Sequence, residues 1–269
     1  MDSIQINIEA NEEQQEILIS QLEELNANGF EQTQGSLIAY FPANNFESYA
    51  VNEVLKPYHF SITTLEERNW NELWEQNFEP VVVDDFCAIR AEFHKPFNNI
   101  AYEIVITPKM SFGTGHHATT HMMIQQMKDM DFKGKKVFDF GTGTGILAIL
   151  AEKLGSKEVK SIDIDEWSIE NARENINRNG CTKINVELSS QLPQQQFDII
   201  LANINRNVIL EYLPGLRSIL NKLDGQLLLS GLLINDQDVI VEACEEQGLI
   251  LKKASERNKW ISLLFVNRK

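Results

Sequence analysis

The first 64 residues combine two periods of apolar positions. Alternation with a period of two predicts strands at residues 4–8, 37–41 and 58–63. Leu18, Leu22 and Leu25 recur at helical spacing, and Asn11 is suited to cap the helix that they define, with Gly29 in position to end it. A second helix is predicted at residues 46–55. With one further strand, this order is typical of a small α+β domain of ferredoxin-like type.

From about residue 118 the pattern changes to a regular alternation of strands and helices. It predicts strands at residues 137–140, 159–164, 184–188, 197–202, 226–230, 249–254 and 260–266. It predicts helices at residues 119–130, 146–154, 167–179, 207–220 and 236–246. Such alternation predicts a doubly wound α/β fold, in which a Rossmann-like parallel sheet carries helices on both faces.

Residues 65–108 lie between these two regions. Trp70, Trp74 and Phe78 recur at i, i+4 and i+8, and Asn69 and Glu72 have the spacing of a capping box. These aromatic residues either anchor a partner or, as is usual for aromatic stripes at helical spacing, pack a linker helix onto a core. Short β-prone runs follow at residues 81–83, 86–89 and 101–106. We therefore expect a small domain at 1–64, a linker helix and small β layer at 65–108, and a catalytic domain at 109–269.

Length and composition are those of an ordinary globular protein. The 269 residues are 43% hydrophobic and 23% charged, which is enough for two domains with buried cores. No apolar run is long enough to cross a bilayer, and the first residues lack the character of a secretory leader. Cys87, Cys181 and Cys244 are scattered, without the spacing of a disulfide framework or a metal site. We therefore expect a reduced, cytoplasmic protein with no membrane partner, and a monomer is the default expectation for its oligomeric state.

The net charge of −15 is unevenly distributed. Residues 1–57 contain ten acidic side chains and one basic side chain. Such a segment repels phosphate backbones, which argues against direct nucleic-acid binding, and it attracts basic proteins. The simpler interpretation is a solvated acidic surface that aids solubility.

A glycine-rich turn follows the first strand of the catalytic segment. Gly141, Gly143 and Gly145 lack Cβ atoms, so the backbone can turn tightly and approach a ligand at the N-terminus of the next helix. Asp163 ends the second strand about twenty residues later, where a carboxylate can accept both hydroxyls of a ribose. This succession predicts a nucleotide site, and the alternative is a structural turn beside a solvated aspartate.

The spacing of the glycines distinguishes between classes of nucleotide. Dinucleotide-binding turns read G-x-G-x-x-G and hold a pyrophosphate on the helix dipole, whereas this chain reads G-T-G-T-G. The pattern D-F-G-x-G-x-G with a later I-D-I-D resembles the class I methyltransferases. Their donor, S-adenosylmethionine, has a ribose and an adenine but no phosphate. An NAD-linked oxidoreductase remains the runner-up.

Two further segments belong to the edge where such sheets bind ligands, beyond the carboxyl ends of the strands. Residues 110–120 carry small residues and hydroxyls, including Thr120, that can close over a ligand and bind a carboxylate or an amine. The strand at residues 197–202 leads to Asn203, whose carbonyl can accept a hydrogen bond from an amine substrate. Asn203 could equally well cap the following helix.

Three nearby histidines raise the question of a metal. His117 and His121 have the i, i+4 spacing of helical ligands, and His116 is adjacent. No acidic or cysteine ligand lies close in sequence, so we expect hydrogen-bonding or packing roles and no metal. The chain has neither a G-x-S-x-G elbow nor a lysine after the glycine turn, which argues against hydrolase and NTPase sites.

Three motifs of this chain are F-G-T-G-x-H-x-T-T, D-F-G-x-G-x-G with I-D-I-D, and A-N-I. Together they resemble the methyltransferase family that modifies bacterial large-subunit ribosomal protein eleven. The resemblance covers most of the chain, including W-x-x-x-W. It implies an N-terminal domain that recognises a basic ribosomal protein and a Rossmann-like domain that methylates lysine ε-amino and N-terminal α-amino groups. It also implies a set of residues that contact S-adenosyl-L-methionine: Thr120, Gly141, Gly143, Asp163 and Asn203.

The resemblance leads to an expected mechanism. Methyl transfer to nitrogen depends mainly on alignment, because the sulfonium is already an activated leaving group. We therefore predict no dedicated general base and a catalytic role for Asn203 in orienting the nitrogen. The chain departs from the family at His116, Ala118 and the polar run Asn205-Arg206, which bears on the choice of acceptor. A class I methyltransferase for a nucleic acid, another protein or a small-molecule amine is the alternative, although the N-P-P-Y type motif is absent.

Overall fold

The computed structural model describes residues 3–65, 78–108 and 118–268. The chain forms two compact units, Met1–Leu73 and Trp74–Lys269. Most of the predicted aromatic linker helix, with Trp70 and Trp74, lies outside the described residues. So does the segment 109–117, with His116 and His117.

The first unit has the order βαββαβ. Its elements are β1 Ser3–Glu9, α1 Glu12–Glu23, β2 Gly29–Thr33, β3 Ser36–Pro42, α2 Ser48–Leu55 and β4 Phe60–Leu65. The strands described in this unit form one antiparallel sheet in the order β2-β3-β1-β4. Ile6 and Ala39 of the central strands form a fully buried cluster with Leu18 and Leu22 of α1. This ferredoxin-like arrangement confirms the predicted fold of the segment.

The end of α1 differs from the prediction. Gly29 does not end this helix; it begins β2, which is the further strand that the βαββαβ order requires. Asn26 adopts a positive φ of 68°, and the Ala27 N–H donates to the Leu22 carbonyl at 2.9 Å. Asparagine tolerates the left-handed conformation almost as glycine does, so the helix ends several residues earlier than expected.

The second unit begins with a small sheet in residues 81–106. Its strands are β5 Val81–Val83, β6 Cys87–Ala91 and β7 Tyr102–Ile106. β5 pairs antiparallel with β6, and β6 pairs parallel with β7. One side of β7 therefore has no neighbouring strand within the described residues.

A larger sheet is formed by residues 136–267. Its strands are β8 Lys136–Phe140, β9 Glu158–Asp163, β10 Ile184–Leu188, β11 Ile199–Asn203, β12 Gln226–Leu233, β13 Leu249–Arg257 and β14 Trp260–Asn267. The accompanying helices are α3 Ala118–Lys128, α4 Ile146–Lys153, α5 Glu166–Arg178, α6 Arg206–Ile219 and α7 Gln237–Glu246. The strand order is β10-β9-β8-β11-β12-β14-β13; β14 runs antiparallel to β12 and to β13, and the other neighbouring strands pair in parallel.

Alternate residues of the parallel strands belong to two separate hydrophobic clusters. Leu201 of β11 packs in a cluster with residues of α3, α4 and α5, whereas Ile200 packs in a cluster with residues of α6 and α7. Successive side chains of a strand point to opposite faces, so the two sets of helices cover opposite faces of the sheet. This confirms the predicted Rossmann-like, doubly wound fold.

The predicted elements that fall on described residues are all present. Apart from the early end of α1, their ends differ from the prediction by at most three residues, close to the usual uncertainty of helix and strand ends. No helix in the described parts of the chain is long and apolar enough to span a membrane.

Candidate functional site

The order of the strands creates one crevice in the large sheet. From β8 the chain winds outward through β9 and β10, and it then returns to β11 on the other side of β8. At such a switch point the connections diverge and leave a crevice beyond the carboxyl ends of the strands. The glycine turn after β8, Asp163 at the end of β9 and Asn203 at the end of β11 share this edge, as the sequence predicts.

The turn after β8 has a backbone conformation that requires glycine. Gly141, Gly143 and Gly145 have φ values of 76°, 52° and 81°, in the left-handed region that other residues disfavour. A Cβ atom on Gly141 would lie 2.5 Å from Cγ2 of Ile204. The turn leads directly into α4, and Gly145 provides no side-chain cap for its first N–H groups. Uncapped N–H groups at a helix N-terminus favour a carboxylate or another anionic group.

Asp163 is half-buried and is hydrogen-bonded to the glycine turn. Its Oδ2 accepts from the N–H of Gly143 at 2.9 Å, and its Oδ1 accepts from the N–H of Asp165 at 3.1 Å. An ionised carboxylate offers about four lone-pair sites, so each oxygen retains capacity for one ligand hydroxyl. The two backbone donors orient the carboxylate for that purpose.

Asp139 is a second carboxyl beside the turn, and sequence reasoning does not single it out. Its side chain is buried within β8 and accepts a hydrogen bond of 2.6 Å from the hydroxyl of Thr142. Burial, and to a lesser extent the charge of Asp163, raise the pKa of the Asp139 carboxyl to about 7, against a lowering by the Thr142 hydrogen bond. The sequence feature that could have identified Asp139 is an acidic residue between apolar residues of a buried strand, here Phe138 and Phe140.

Asn203 and Thr120 are brought together by the fold. The Nδ2 of Asn203 donates to the hydroxyl oxygen of Thr120 at 3.1 Å. Thr120 lies in the first turn of α3 and is 1% exposed, so it is a fixed partner. Within the described residues the Oδ1 of Asn203 accepts no hydrogen bond. The carboxamide therefore has its nitrogen held by one hydrogen bond to the protein and its carbonyl able to accept from a ligand N–H.

The cap of α6 is Asn205, not Asn203. The side chain of Asn205 accepts from the N–H of Val208 at 3.1 Å, and its backbone is extended, as in a regular N-cap. The helix-capping role that was the alternative for Asn203 therefore belongs to Asn205. Asn203 lies at the last position of β11, facing the crevice edge.

Gly231 is a supporting residue that the sequence analysis missed. It has a φ of 84° in β12, and a Cβ atom there would lie 2.3 Å from the carbonyl oxygen of Ile204. The N–H of Ile204 in turn donates to the Ser230 carbonyl at 3.1 Å. Ile204 is thus packed between Gly141 and Gly231, which joins the ends of β8, β11 and β12. A glycine inside a strand pattern is the signal for such a close approach.

The arginine of the polar run after β11 forms an ion pair with another side chain of the protein. Arg206 makes an ion pair with Asp236, with Nη1 2.9 Å from Oδ1. The other carboxylate oxygen of Asp236 accepts from the N–H of Leu233 at 2.9 Å. The charge that distinguishes this loop from the family pattern therefore stabilises the turn after β12.

His121 packs against an arginine. The Nη1 of Arg257 lies 2.9 Å from the Nε2 of His121, which is 8% exposed. Burial and then the positive charge of Arg257 lower the pKa of His121. The expected hydrogen-bonding and packing role is confirmed for this histidine. The part of the chain that the structure describes contains no cluster of three or more metal-ligating side chains.

The sheet topology and the turn define a class of protein. The switch-point crevice, a G-T-G-T-G turn at a helix N-terminus and a carboxylate with free capacity at the next strand end are those of a Rossmann-like class I methyltransferase. The cofactor of this class is S-adenosyl-L-methionine. The described residues fit it, because the helix after the glycine turn has no side-chain cap and can face the amino-acid end, and Asp163 can accept two hydroxyls.

The family follows from comparison with known proteins. The model of the ribosomal protein L11 methyltransferase (PrmA) family matches residues 2–268. This chain belongs to that family. The match confirms the resemblance found in the three motifs and removes the NAD-linked alternative.

Individual relatives agree with this assignment. The chain is 40% identical over 261 residues to the ribosomal protein L11 methyltransferase of Porphyromonas gingivalis, covering 93% of this chain and 90% of the other. It is 34% identical over 277 residues to that of Chlorobaculum tepidum, covering 97% and 95%. The crystal structure of a ribosomal protein L11 methylase from Lactobacillus delbrueckii subsp. bulgaricus has a TM-score of 0.66 and 32% identity, and the match covers 71% of this chain and all of that one.

Proposed function

We propose that this protein transfers methyl groups from S-adenosyl-L-methionine to lysine ε-amino and N-terminal α-amino groups of the basic ribosomal protein L11. The observation that carries the proposal is the orientation of the Asn203 carboxamide. Its Nδ2 is held by Thr120, and its Oδ1 is available to accept from an amine. The names of the two relatives given above support the choice of substrate.

The donor is assigned to the crevice beside the glycine turn. Gly141 and Gly143 would receive its amino-acid end through their backbone, and Asp163 would accept hydrogen bonds from the ribose. Thr120 would help to close the pocket next to Asn203. The hydrogen bond between Gly143 and Asp163 supports this division, because it brings the two proposed subsites into direct contact.

Two exposed apolar side chains fit the adenine. Ile164 follows Asp163 and is 76% exposed, and Leu188 at the end of β10 is 51% exposed. The register of the sheet pairs Leu188 with Asp163. A flat, apolar base next to the ribose would cover both side chains and remove their apolar surface from water.

The proposed mechanism relies on alignment. The donor, when bound, supplies a methyl group on a positively charged sulfur. A lysine amine has an ordinary pKa of about 10.4 and must lose a proton before it can attack, which partial burial beside a positive charge promotes. The Oδ1 of Asn203 then accepts one remaining N–H and directs the nitrogen lone pair toward the methyl group. No residue is assigned the role of a general base.

The first unit is assigned to substrate recognition. Residues 1–57 contain ten acidic side chains and one basic side chain, and that basic residue, Lys56, pairs with Glu53 at 2.6 Å. The field of this unit is therefore suited to a basic protein and unsuited to nucleic acid. A recognition domain at 1–64, a linker and β layer at 65–108 and a catalytic domain at 109–269 complete the proposal, for a monomer in the cytoplasm.

Intact mass spectrometry of recombinant L11, after incubation with enzyme and donor, tests this function. We expect mass increments of whole methyl groups, located by peptide mapping on lysine side chains and on the N-terminal amine. Asn203→Ala should lower the methylation rate by about tenfold or more, since one orienting hydrogen bond is lost in the transition state.

Asn205→Ala is the matched control two residues away. It removes the cap of α6, which costs about 1 kcal/mol of stability, and should leave methylation near the wild-type rate. Methylation by Asn203→Ala at the wild-type rate would contradict the catalytic assignment. Donor binding without any mass increment on L11 would contradict the substrate.

A further inference from the structure

Three asparagines at i, i+4 spacing form a ladder on α5 and its C-terminal cap: Asn171, Asn175 and Asn179. The ladder contacts the side of β7 that has no neighbouring strand. The Oδ1 of Asn179 accepts from the Val105 N–H at 3.0 Å, and its Nδ2 donates to the Val105 carbonyl at 2.6 Å. The Oδ1 of Asn175 accepts from the N–H of Thr107 at 2.8 Å.

The spacing of the asparagines along the helix matches the spacing of alternate residues along the strand. Four residues of a helix rise about 6 Å, and two residues of a strand rise about 6.6 Å. Amides spaced one helical turn apart can therefore bond Val105 of β7 and Thr107 just beyond it, as a neighbouring strand would. The ladder thus satisfies backbone groups that an edge strand would otherwise leave to solvent.

Asn175 has a second connection that Asn179 lacks. Its Nδ2 donates to the carbonyl of Thr144 at 2.9 Å and to the Oδ1 of Asn171 at 3.1 Å. Asn171 and Asn175 are both fully buried. The orientation of the Asn175 amide is fixed by these bonds, because only its oxygen can accept from Thr107 and only its nitrogen can donate to Thr144.

Thr144 is the residue between Gly143 and Gly145, both of which have positive φ. Glycine populates several backbone conformations at similar free energy, so the peptide planes of the turn need an external constraint. Turning the buried Thr144 carbonyl away from Asn175 would break the hydrogen bond between them. The Asn175 amide therefore favours the one conformation of the turn in which the Gly143 N–H also reaches Asp163.

We propose that Asn175 is a positioning residue for the methyl donor, which holds the glycine turn in its binding conformation and joins it to the end of β7. The proposal rests on the donor site described under Proposed function. Asn175 touches neither reacting atom in this scheme. It acts through Thr144, Gly143 and Asp163.

The test is the isosteric variant Asn175→Asp, compared with Asn179→Asp. Each variant loses its N–H donors, gains one negative charge and keeps the oxygen that accepts from β7. Of the two side chains, that of Asn175 contacts the glycine turn, through the carbonyl of Thr144. We expect Asn175→Asp to weaken binding of S-adenosylhomocysteine, measured by calorimetry, about tenfold relative to Asn179→Asp, with a rise in KM for the donor and little change in KM for L11.

A purely structural role of the ladder predicts a different result. Both variants would then lower the melting temperature and leave donor affinity equal between them, which would overturn the proposal. Wild-type donor affinity in Asn175→Asp would also overturn it. If a buried aspartate prevents folding, Asn175→Ala and Asn179→Ala provide the same comparison without the charge.

Asp163→Ala separates this inference from the proposed function. It should abolish donor binding if the donor lies at the glycine turn. Lost binding in Asp163→Ala together with unchanged binding in Asn175→Asp would refute only the role of Asn175. Unchanged binding in Asp163→Ala would refute the donor site itself, and with it the basis of the inference.

Discussion

Two carboxyl groups beside the glycine turn have different environments. Asp163 is half-buried and receives two backbone N–H groups, which suits a charged acceptor of ribose hydroxyls. Asp139 is fully buried, and burial raises its pKa to about 7. Since the two side chains are close enough to interact, the charge of Asp163 itself opposes ionisation of Asp139.

The raised pKa of Asp139 predicts a pH-dependent stability. Burial raises the pKa of this carboxyl from 3.8 to about 7 on folding, so the folded state binds more protons between these values. Its contribution to stability is fully present below the unfolded pKa and is lost as the pH rises through the folded pKa. Asp139→Asn should therefore be more stable than the wild type at pH 8, by up to about 4 kcal/mol, and the difference should vanish toward pH 4.

Urea unfolding of both proteins across this pH range measures the difference. The free energies of unfolding should diverge as the pH rises, with the midpoint of the divergence below the folded pKa. Parallel curves at all pH values would show that Asp139 is ionised at little cost in the folded protein.

At the scale of elements, the sequence predicts what depends on local rules. The cap of α1 is an example, since Asn11 accepts from the Gln14 N–H at 3.0 Å and the Gln14 side chain accepts from the Asn11 N–H. Apolar periodicity likewise predicts the order of strands and helices, because each repeat reports the face that a single element buries. The turn with three glycines is recognisable for the same reason: its conformation is a property of consecutive residues.

Contacts between distant residues are what the sequence does not predict. Arg206 pairs with Asp236, which lies thirty positions later in the chain, and only the return of β12 beside β11 brings them together. The amide of Asn175 joins Thr107 to Thr144 in the same non-local way. β2 escapes prediction for a different reason, because its sequence GFEQT buries no residue fully and so has no apolar alternation.

The junction of β11 and β12 predicts an unequal effect of two glycine substitutions. Gly231 and Gly248 have similar φ values of 84° and 75°, so alanine causes similar backbone strain at both, about 1–2 kcal/mol. A Cβ atom at Gly231 would lie 2.3 Å from the backbone oxygen of Ile204, whereas nothing lies within 4 Å at Gly248. Gly231→Ala should therefore be the more destabilising by several kcal/mol, and it should also reduce methylation by displacing Ile204.

Thermal unfolding and methylation of L11, measured side by side, check this expectation. Gly248→Ala is the control for strain alone and should retain methylation. Equal melting temperatures for the two variants would mean that Ile204 can move without cost, which would contradict the tight junction.

At the scale of the whole molecule, charge is divided unequally along the chain. The net charge is −15, and residues 1–57 contribute much of it with a single basic side chain. Long-range fields of this kind mainly affect association rates and the choice of partner. They contribute little to the fold, because exposed charges are screened by water and salt.

This division predicts that acidic side chains of the first unit contribute to capture of a basic substrate. Neutralising the exposed Glu13, Glu23 and Glu24 to glutamine should raise KM for L11 several-fold at low ionic strength and reduce its dependence on salt. The matched control carries three exposed substitutions on α7: Glu242→Gln, Glu245→Gln and Glu246→Gln.

Steady-state kinetics at two salt concentrations distinguish the two triple variants. KM for the donor should stay constant in both, because the proposed donor site lies in the second unit. An equal rise of KM for L11 in both variants would indicate that total charge matters and its location does not.

The groups that orient Asp163 are main-chain N–H groups, from Gly143 and Asp165. Main-chain donors persist through almost any change of neighbouring side chains, so ribose recognition should tolerate redesign of the surrounding surface. Ile164 and Leu188, which line the proposed adenine subsite, are then the positions at which we expect the pocket to be widened for synthetic donors with enlarged bases, without disturbing the proposed sugar contact.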